Sequence, residues 1–186
     1  MLKNLLKDER QRALATFALK AVAIYIFWFI SYDFFIAPAG VVDAWLNERV
    51  AIDGGHILSL LGLEGGTVPG NRQTIITICG DTMVGVGNPC NGLELFALFT
   101  GFILCFSGAW QHKAWFIPAG CLAIHAINAI RTAALAIIQY KAPEYLDFNH
   151  HYTFTVIVYS FIFLLWVIWT NIFSKKTKKN EGGQHA

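Results

Sequence analysis

The chain has 186 residues and a net charge of +2; 55% of its residues are hydrophobic, 15% aromatic and only 14% charged, for a mean hydropathy of +0.49. So few charges among so many apolar side chains exclude an ordinary soluble domain and leave an integral membrane protein about one domain long. A near-neutral balance of this kind points to no nucleic-acid partner, so the information lies in where the charges sit.

Four stretches approach the ~20 apolar residues that a hydrocarbon core requires. In chain order they are Thr16–Ala37, Leu93–Ala109, Trp115–Ile138 and Phe154–Phe173, the second being the shortest. The first is preceded by basic residues and ends at Ala37-Pro38-Ala39, which superficially resembles a signal peptide and its cleavage site. Its apolar run is longer than a signal core and Pro38 interrupts the small-residue motif, so an uncleaved signal anchor is expected.

Basic residues orient the bundle. Lys3, Lys7, Arg10, Arg12 and Lys20 precede or enter the first span, Lys113 falls in the Trp110–Ala114 turn, and Lys175, Lys176, Lys178 and Lys179 follow the fourth in a basic tail, 174–186. The positive-inside rule puts these segments and both termini on the cytoplasmic side of the cytoplasmic (inner) membrane. The outer loop 38–92 and the connection Gln139–Thr153 then face outward, where Asp43, Glu48, Asp53, Glu64, Asp81, Glu144 and Asp147 outnumber Arg49, Arg72 and Lys141.

The outer loop is too long for a simple connection. Val41, Val42, Trp45, Leu46, Val50, Leu60 and Leu61 approximate one helical face, with Asp43, Asn47, Glu48 and Asp53 as polar positions. This pattern predicts amphipathic helix lying on the outer leaflet, broken at Gly54-Gly55. Next, TIITICGDTMVGV places β-branched residues around a Gly80-Asp81 turn signal and predicts a short β-hairpin. The fold class is therefore an all-α integral membrane bundle of about four transmembrane helices. Its outer loop carries the amphipathic helix and the hairpin, within one polytopic domain.

Asn88-Pro89 closes the loop and delivers the chain to Cys90. Asn91-Gly92-Leu93-Glu94 has the spacing of a capping box, so Cys90 stands just before the N-terminus of the second transmembrane helix. A helix N-terminus favours an anionic sulfur, the nucleophilic form of cysteine. Cys105 and Cys121, deep in apolar spans, read instead as small buried hydrophobes. Arg131 lies about two turns short of the outer end of the third span. An intramembrane arginine is costly unless it faces the bundle interior and finds a partner. His125, Asn128, Arg131 and Thr132 fall on one helical stripe. Arg131 is read either as a functional group or as half of a structural ion pair with Glu94 or Asp33. Before the fourth span, His150 and His151 are adjacent and point in different directions, so one of them is the acid–base partner of the thiol. No H-E-x-x-H or C-x-x-C spacing is present, so neither a metal nor another cofactor is expected.

C-N-G at the outer start of one span, N-x-x-R in the next and a histidine before the last resemble the exosortase/archaeosortase family. The resemblance runs from about Gly87 to Trp169, and the FNHHYTF stretch before an aromatic last span is similar to compact exosortase-like proteins of Bacteroidetes. It implies a membrane cysteine protease or transpeptidase acting on exported proteins with a C-terminal sorting tail: a short motif, a hydrophobic helix and a basic end. It maps the family's Cys, Arg and His onto Cys90, Arg131 and His150 or His151. Asn91, Gly92, Glu94 and Asn128 are the supporting positions. Its implied partners are the tailed protein, the lipid bilayer and an acyl acceptor, either water or an amine. Two other classes fit parts of the sequence. One is a thiol-redox membrane protein using Cys79 and Cys90, although Cys79 is expected to be a free or structural thiol. The other is a non-enzymatic scaffold or small transporter whose polar stripe holds helices together.

Overall fold

The computed structural model describes residues 9–173. Lys3, Lys7 and the basic tail 174–186, which weigh in the expected orientation, lie outside the described residues.

The chain is mostly helical, with one small sheet. Helix α1 (Glu9–Ser31) runs through a π-helical turn (Tyr32–Ile36) into a short α2 (Ala37–Ala39) and stops at Gly40, whose φ of +66° ends the helix. Pro38 has no N–H to give to residue 34, and the wider turn just before it accommodates that loss. Helix α3 (Val41–Leu60) follows, then strands β1 (Gly65–Pro69), β2 (Gln73–Ile78) and β3 (Asp81–Gly87). A 3-10 turn (Asn88–Cys90) leads to α4 (Leu93–Cys105) and the long α5 (Trp110–Lys141). The last helical stretch comprises a 3-10 turn (Pro143–Tyr145), α6 (Leu146–Phe148), a π turn (Asn149–Thr153), α7 (Phe154–Ile168) and a final π turn (Trp169–Phe173).

Among the described residues three helical stretches are long and apolar enough to cross a membrane: Gln11–Ala39, Trp110–Lys141 and Pro143–Phe173. The fourth expected span is shorter. At 13 residues α4 is about 20 Å long, against the ~30 Å of a hydrocarbon core. It ends at Cys105, and Trp110–Ala114, expected as a turn, already belongs to α5. Lys113 is not a free loop charge: it is buried and donates hydrogen bonds to the Leu104 and Phe106 carbonyls at 3.1 and 2.7 Å, closing the C-terminus of α4.

Two cores organise the molecule. Phe99 and Ile103 of α4, Phe116 and Ile124 of α5, and Val158, Ile162 and Trp169 of the last helix form the bundle core. Gly120 allows α5 to approach α4, because a Cβ there would collide with the Phe99 ring. The second core joins Val50, Ala51 and Leu58 of α3 to Ile76, Ile78 and Val86 of the sheet and to Ala133 and Ala136 of α5.

The outer loop, α3 and the three strands, forms a head on the bundle and differs from expectation. Helix α3 is continuous through Gly54-Gly55: a Cβ on Gly54 would meet the Thr132 hydroxyl at 2.9 Å and Ile76 at 3.0 Å, so the glycine serves close packing and not a break. Its buried side is Asp43, Leu46, Asn47, Val50, Ala51, Gly54, Gly55 and Leu58, whereas Val41, Val42, Trp45, Leu60 and Leu61 are exposed. Asp43 and Asn47 thus lie inward, not on a water-facing side. The β2–β3 hairpin turns at Cys79-Gly80, both with positive φ (53° and 88°) as a tight twisted turn demands. A further strand, β1, pairs antiparallel with β2 from Gly65↔Ile78 to Pro69↔Thr74, giving the sheet order β1-β2-β3. Gly65 in β1 faces α3 so closely that a Cβ on it would strike the Gly55 carbonyl, and a Cβ on Gly66 would meet the Thr77 hydroxyl of β2 at 2.9 Å. Glycines at a strand start read as loop, which is why this strand escapes the sequence.

Candidate active site at the junction of head and bundle

Strand β3 and the 3-10 turn carry Cys90 to the seam between the two cores. The C-N-G triplet then does three distinct things. Gly92 takes φ +87°, a left-handed conformation that turns the chain into α4, and it leaves the Asn128 amide only 3.2 Å from where a Cβ would sit. Asn91, 1% exposed, accepts the Leu93 N–H on its Oδ1 (2.9 Å) and donates from Nδ2 to the Asp43 carboxylate (2.7 Å). Cys90 itself is half-buried. The reciprocal capping box does not form: the Asn91 N–H goes to the Asn88 carbonyl (3.4 Å), and Glu94 is exposed.

Three elements converge on the sulfur. His150 Nε2, from the π turn ahead of α7, lies 3.4 Å from Cys90 Sγ. Arg131 Nη2, from α5, donates toward the same sulfur at 3.9 Å. Asn128, one turn before Arg131 and fully buried, donates from Nδ2 to the Cys90 carbonyl at 2.8 Å. His151 is turned away and exposed, and its Nδ1 lies 3.0 Å from the Asp147 carboxylate. The widened backbone turn that holds both histidines is of the kind that often marks functional positions.

The remaining stripe residues separate. His125 reaches across to α3, with Nε2 2.7 Å from Asp53 Oδ2, and the Thr132 hydroxyl donates to the Ala129 carbonyl at 2.9 Å. The alternative reading of Arg131, an ion pair with Glu94 or Asp33, does not appear among the described residues; its side chain is directed at the sulfur. Instead Arg131 Nε and Asn128 Oδ1 are buried without a hydrogen-bond partner there. Buried polar atoms of this kind are rare and call for an explanation. Arg131 lines a pocket of about 160 Å³ together with Gly92, Glu94, Leu95 and Tyr159. A guanidinium with donors to spare, facing a small polar pocket next to a thiol, can hold an oxygen that gains negative charge.

Asp43 is the residue that sequence reading missed. It is 1% exposed and takes hydrogen bonds from Asn91 Nδ2 and from the Tyr32 hydroxyl (3.3 Å), tying α1 and α3 to the turn that presents Cys90. Its signal was present in the spacing: positions 43, 46, 47, 50, 54 and 58 trace a single helical face. Cys79, by contrast, lies at the far end of β3. Seven residues of strand at about 3.3 Å each put it some 20 Å from Cys90, well beyond disulfide reach. All four cysteines are free. Among the described residues no three His, Cys, Asp or Glu side chains cluster as ligands for a metal ion.

The family model for transmembrane exosortases matches residues 11–169 of the chain. No curated protein and no solved structure matches it.

Proposed function

This chain belongs to the transmembrane exosortase family, and from that membership we propose that it is a multi-pass membrane cysteine transpeptidase acting on exported proteins with a C-terminal hydrophobic sorting tail. The observation that carries the chemistry is the convergence of His150 Nε2 (3.4 Å) and Arg131 Nη2 (3.9 Å) on Cys90 Sγ from separate helices. A thiol, an imidazole and a fixed guanidinium at one point are the parts that acyl transfer through sulfur needs.

His150 takes the proton from the Cys90 thiol, and the sulfur attacks the scissile carbonyl carbon. The carbonyl oxygen becomes an oxyanion and receives hydrogen bonds from Arg131. Collapse of this tetrahedral intermediate breaks the C–N bond. The imidazolium of His150 returns its proton to the leaving amine, which departs at the head of the tail. The upstream part of the substrate remains on Cys90 as a thioester. An amine-bearing acceptor or water then attacks that carbonyl, giving its proton to His150 and releasing the thiolate. Asn128 and Asn91 hold the backbone around the nucleophile and do not touch the reacting atoms.

Topology fits the same reading. Helix α4 is the second of four crossings in chain order, antiparallel to the part of α5 from Lys113 to Asn128, which bracket it at its two ends. Because it is only about 20 Å long, Cys90 sits close to the hydrocarbon boundary, where the head of a membrane-anchored tail emerges. The positive-inside rule supports placing both termini on the cytoplasmic side of the cytoplasmic membrane and the sheet-bearing loop outside it.

The test uses an exported reporter ending in the sorting tail. Cys90→Ala is expected to insert and assemble normally and to accumulate the uncleaved reporter. Cleavage by an assembled Cys90→Ala chain at the rate of the parent would remove the cysteine mechanism.

A further inference from the structure

Between α1, α4 and α7 lies a second and larger cleft, of about 540 Å³. We infer that this cleft seats the substrate's transmembrane tail as a helix and threads its head toward Cys90. The inference rests on the transpeptidase reading above and adds to it a binding site and a direction of entry.

The walls are made for an apolar helix. Along α1 the lining residues Phe17, Ala21, Ile24, Trp28 and Tyr32 follow one another at spacings of three and four, so they present a single face. Fifteen residues of α1 at 1.5 Å each make that face about 22 Å long, most of the depth of a hydrocarbon core. The opposite wall includes Ala97 and Gly101 of α4; at Gly101 it is α1 itself that comes close, a Cβ there lying 3.3 Å from Ile24, and Ala97 leaves the wall low beside it. Within its apolar span α1 has no buried residue, so much of its surface is open to an incoming helix.

The cleft also leads somewhere. Glu94, Leu95 and Tyr159 line both this cleft and the small pocket beside Arg131, so the two adjoin. The cleft is apolar along the membrane depth and turns polar only at this junction, where Asp33 and Glu94 stand. A tail helix laid along α1 therefore ends where its preceding, extended peptide meets Arg131 and Cys90. A lipid acyl chain would fit the apolar walls, but it has no use for the continuation into a pocket with an arginine donor. For a second copy of this chain, likewise, nothing accounts for the link to the thiol.

The test is site-specific photocrosslinking in the full chain carrying Cys90→Ala, reconstituted in vesicles. The probe is a purified reporter ending in an apolar helix of about 20 residues and a lysine cluster. A photoreactive residue is placed at Ala97 or Ile24 in the cleft, or at Leu122 or Ile130, which are exposed on α5. Crosslinks from Ala97 and Ile24 to the reporter's apolar helix, at least tenfold above those from Leu122 and Ile130, are expected. Equal yields at all four positions, crosslinks only to lipid, or crosslinks to a second copy of the chain would each overturn the inference. The parent chain is assayed for cleavage of the same reporter in parallel. Cleavage without cleft crosslinks overturns the cleft alone. Cleft crosslinks without cleavage leave the cleft standing and count against the transpeptidase reading.

Discussion

The buried contact between Asp43 and Asn91 gives the sharpest quantitative expectation. Both side chains are 1% exposed, so no water can replace a lost partner, and the 2.7 Å bond joins a carboxamide to a carboxylate. Hydrogen bonds of this charged type contribute about 1.5–3 kcal/mol. The Tyr32 bond to Asp43, longer at 3.3 Å and only part-buried, adds less. Asp43→Ala removes both acceptors, strands the Asn91 amide and loosens the turn that sets Cys90 against His150 and Arg131. If about 2–3 kcal/mol of that loss falls on the transition state, kcat/KM drops by about 30- to 150-fold. Asp43→Asn can still accept from Asn91 and give its amide to the Tyr32 oxygen, so its loss stays within about tenfold. The assay is reporter cleavage by detergent-purified variants that elute as the parent does. Because the Asp43–Asn91 bond is shared, Asp43→Ala/Asn91→Ala together should lose less than the sum of the two single losses, the remainder belonging to the separate Tyr32 and Leu93 bonds. Additive losses in the double variant, or a fully active Asp43→Ala, would refute the role given to this contact.

Arg131→Lys keeps the charge but loses the planar fork of donors, so it should insert normally and cleave the reporter about 10²- to 10³-fold more slowly; near-parental rates would leave Arg131 a structural role. His150→Ala should slow cleavage by about 10²- to 10⁴-fold while His151→Ala stays near parental, since only His150 reaches the sulfur. Equal losses in the two histidine variants would contradict that assignment. Gly92→Ala forces a side chain into φ +87° and toward the Asn128 amide, at a cost of about 1–3 kcal/mol, and should lower both the thermal midpoint and the cleavage rate. An unchanged midpoint would mean that the turn relaxes freely.

The parts of this molecule that were legible in the sequence are those governed by local chemistry. Long apolar runs announce the membrane helices, because lipid accepts little else. The Gly80 signal announces the hairpin, and Asn91-Gly92-Leu93-Glu94 announces a helix start, although the turn is made by Gly92 at φ +87° and not by the reciprocal capping box. Cys90, Arg131 and a histidine could be placed at one membrane face from span order alone. What stayed hidden depends on long-range packing. Gly54-Gly55 looks like a helix break, yet it is the place where α3 presses against Thr132 and Ile76. Asp43 looks like a solvated position of an amphipathic helix until Asn91 and Tyr32 are seen beside it. The choice between His150 and His151 depends on how a π turn rotates two neighbouring side chains, which no sequence period encodes. The shortness of α4 is similar: Phe106 to Ala109 are apolar enough to continue a span, but Lys113 closes the helix before them.

The most direct measurement on the central claim is the mass of Cys90 during a single turnover. Purified chain and tailed reporter are mixed, quenched in acid within the first turnover and digested, and the Cys90 peptide is weighed. This peptide is expected to carry the upstream fragment of the reporter as a thioester that hydroxylamine discharges, with the free tail appearing in equal amount. Release of the tail during that turnover with Cys90 unmodified throughout would contradict it.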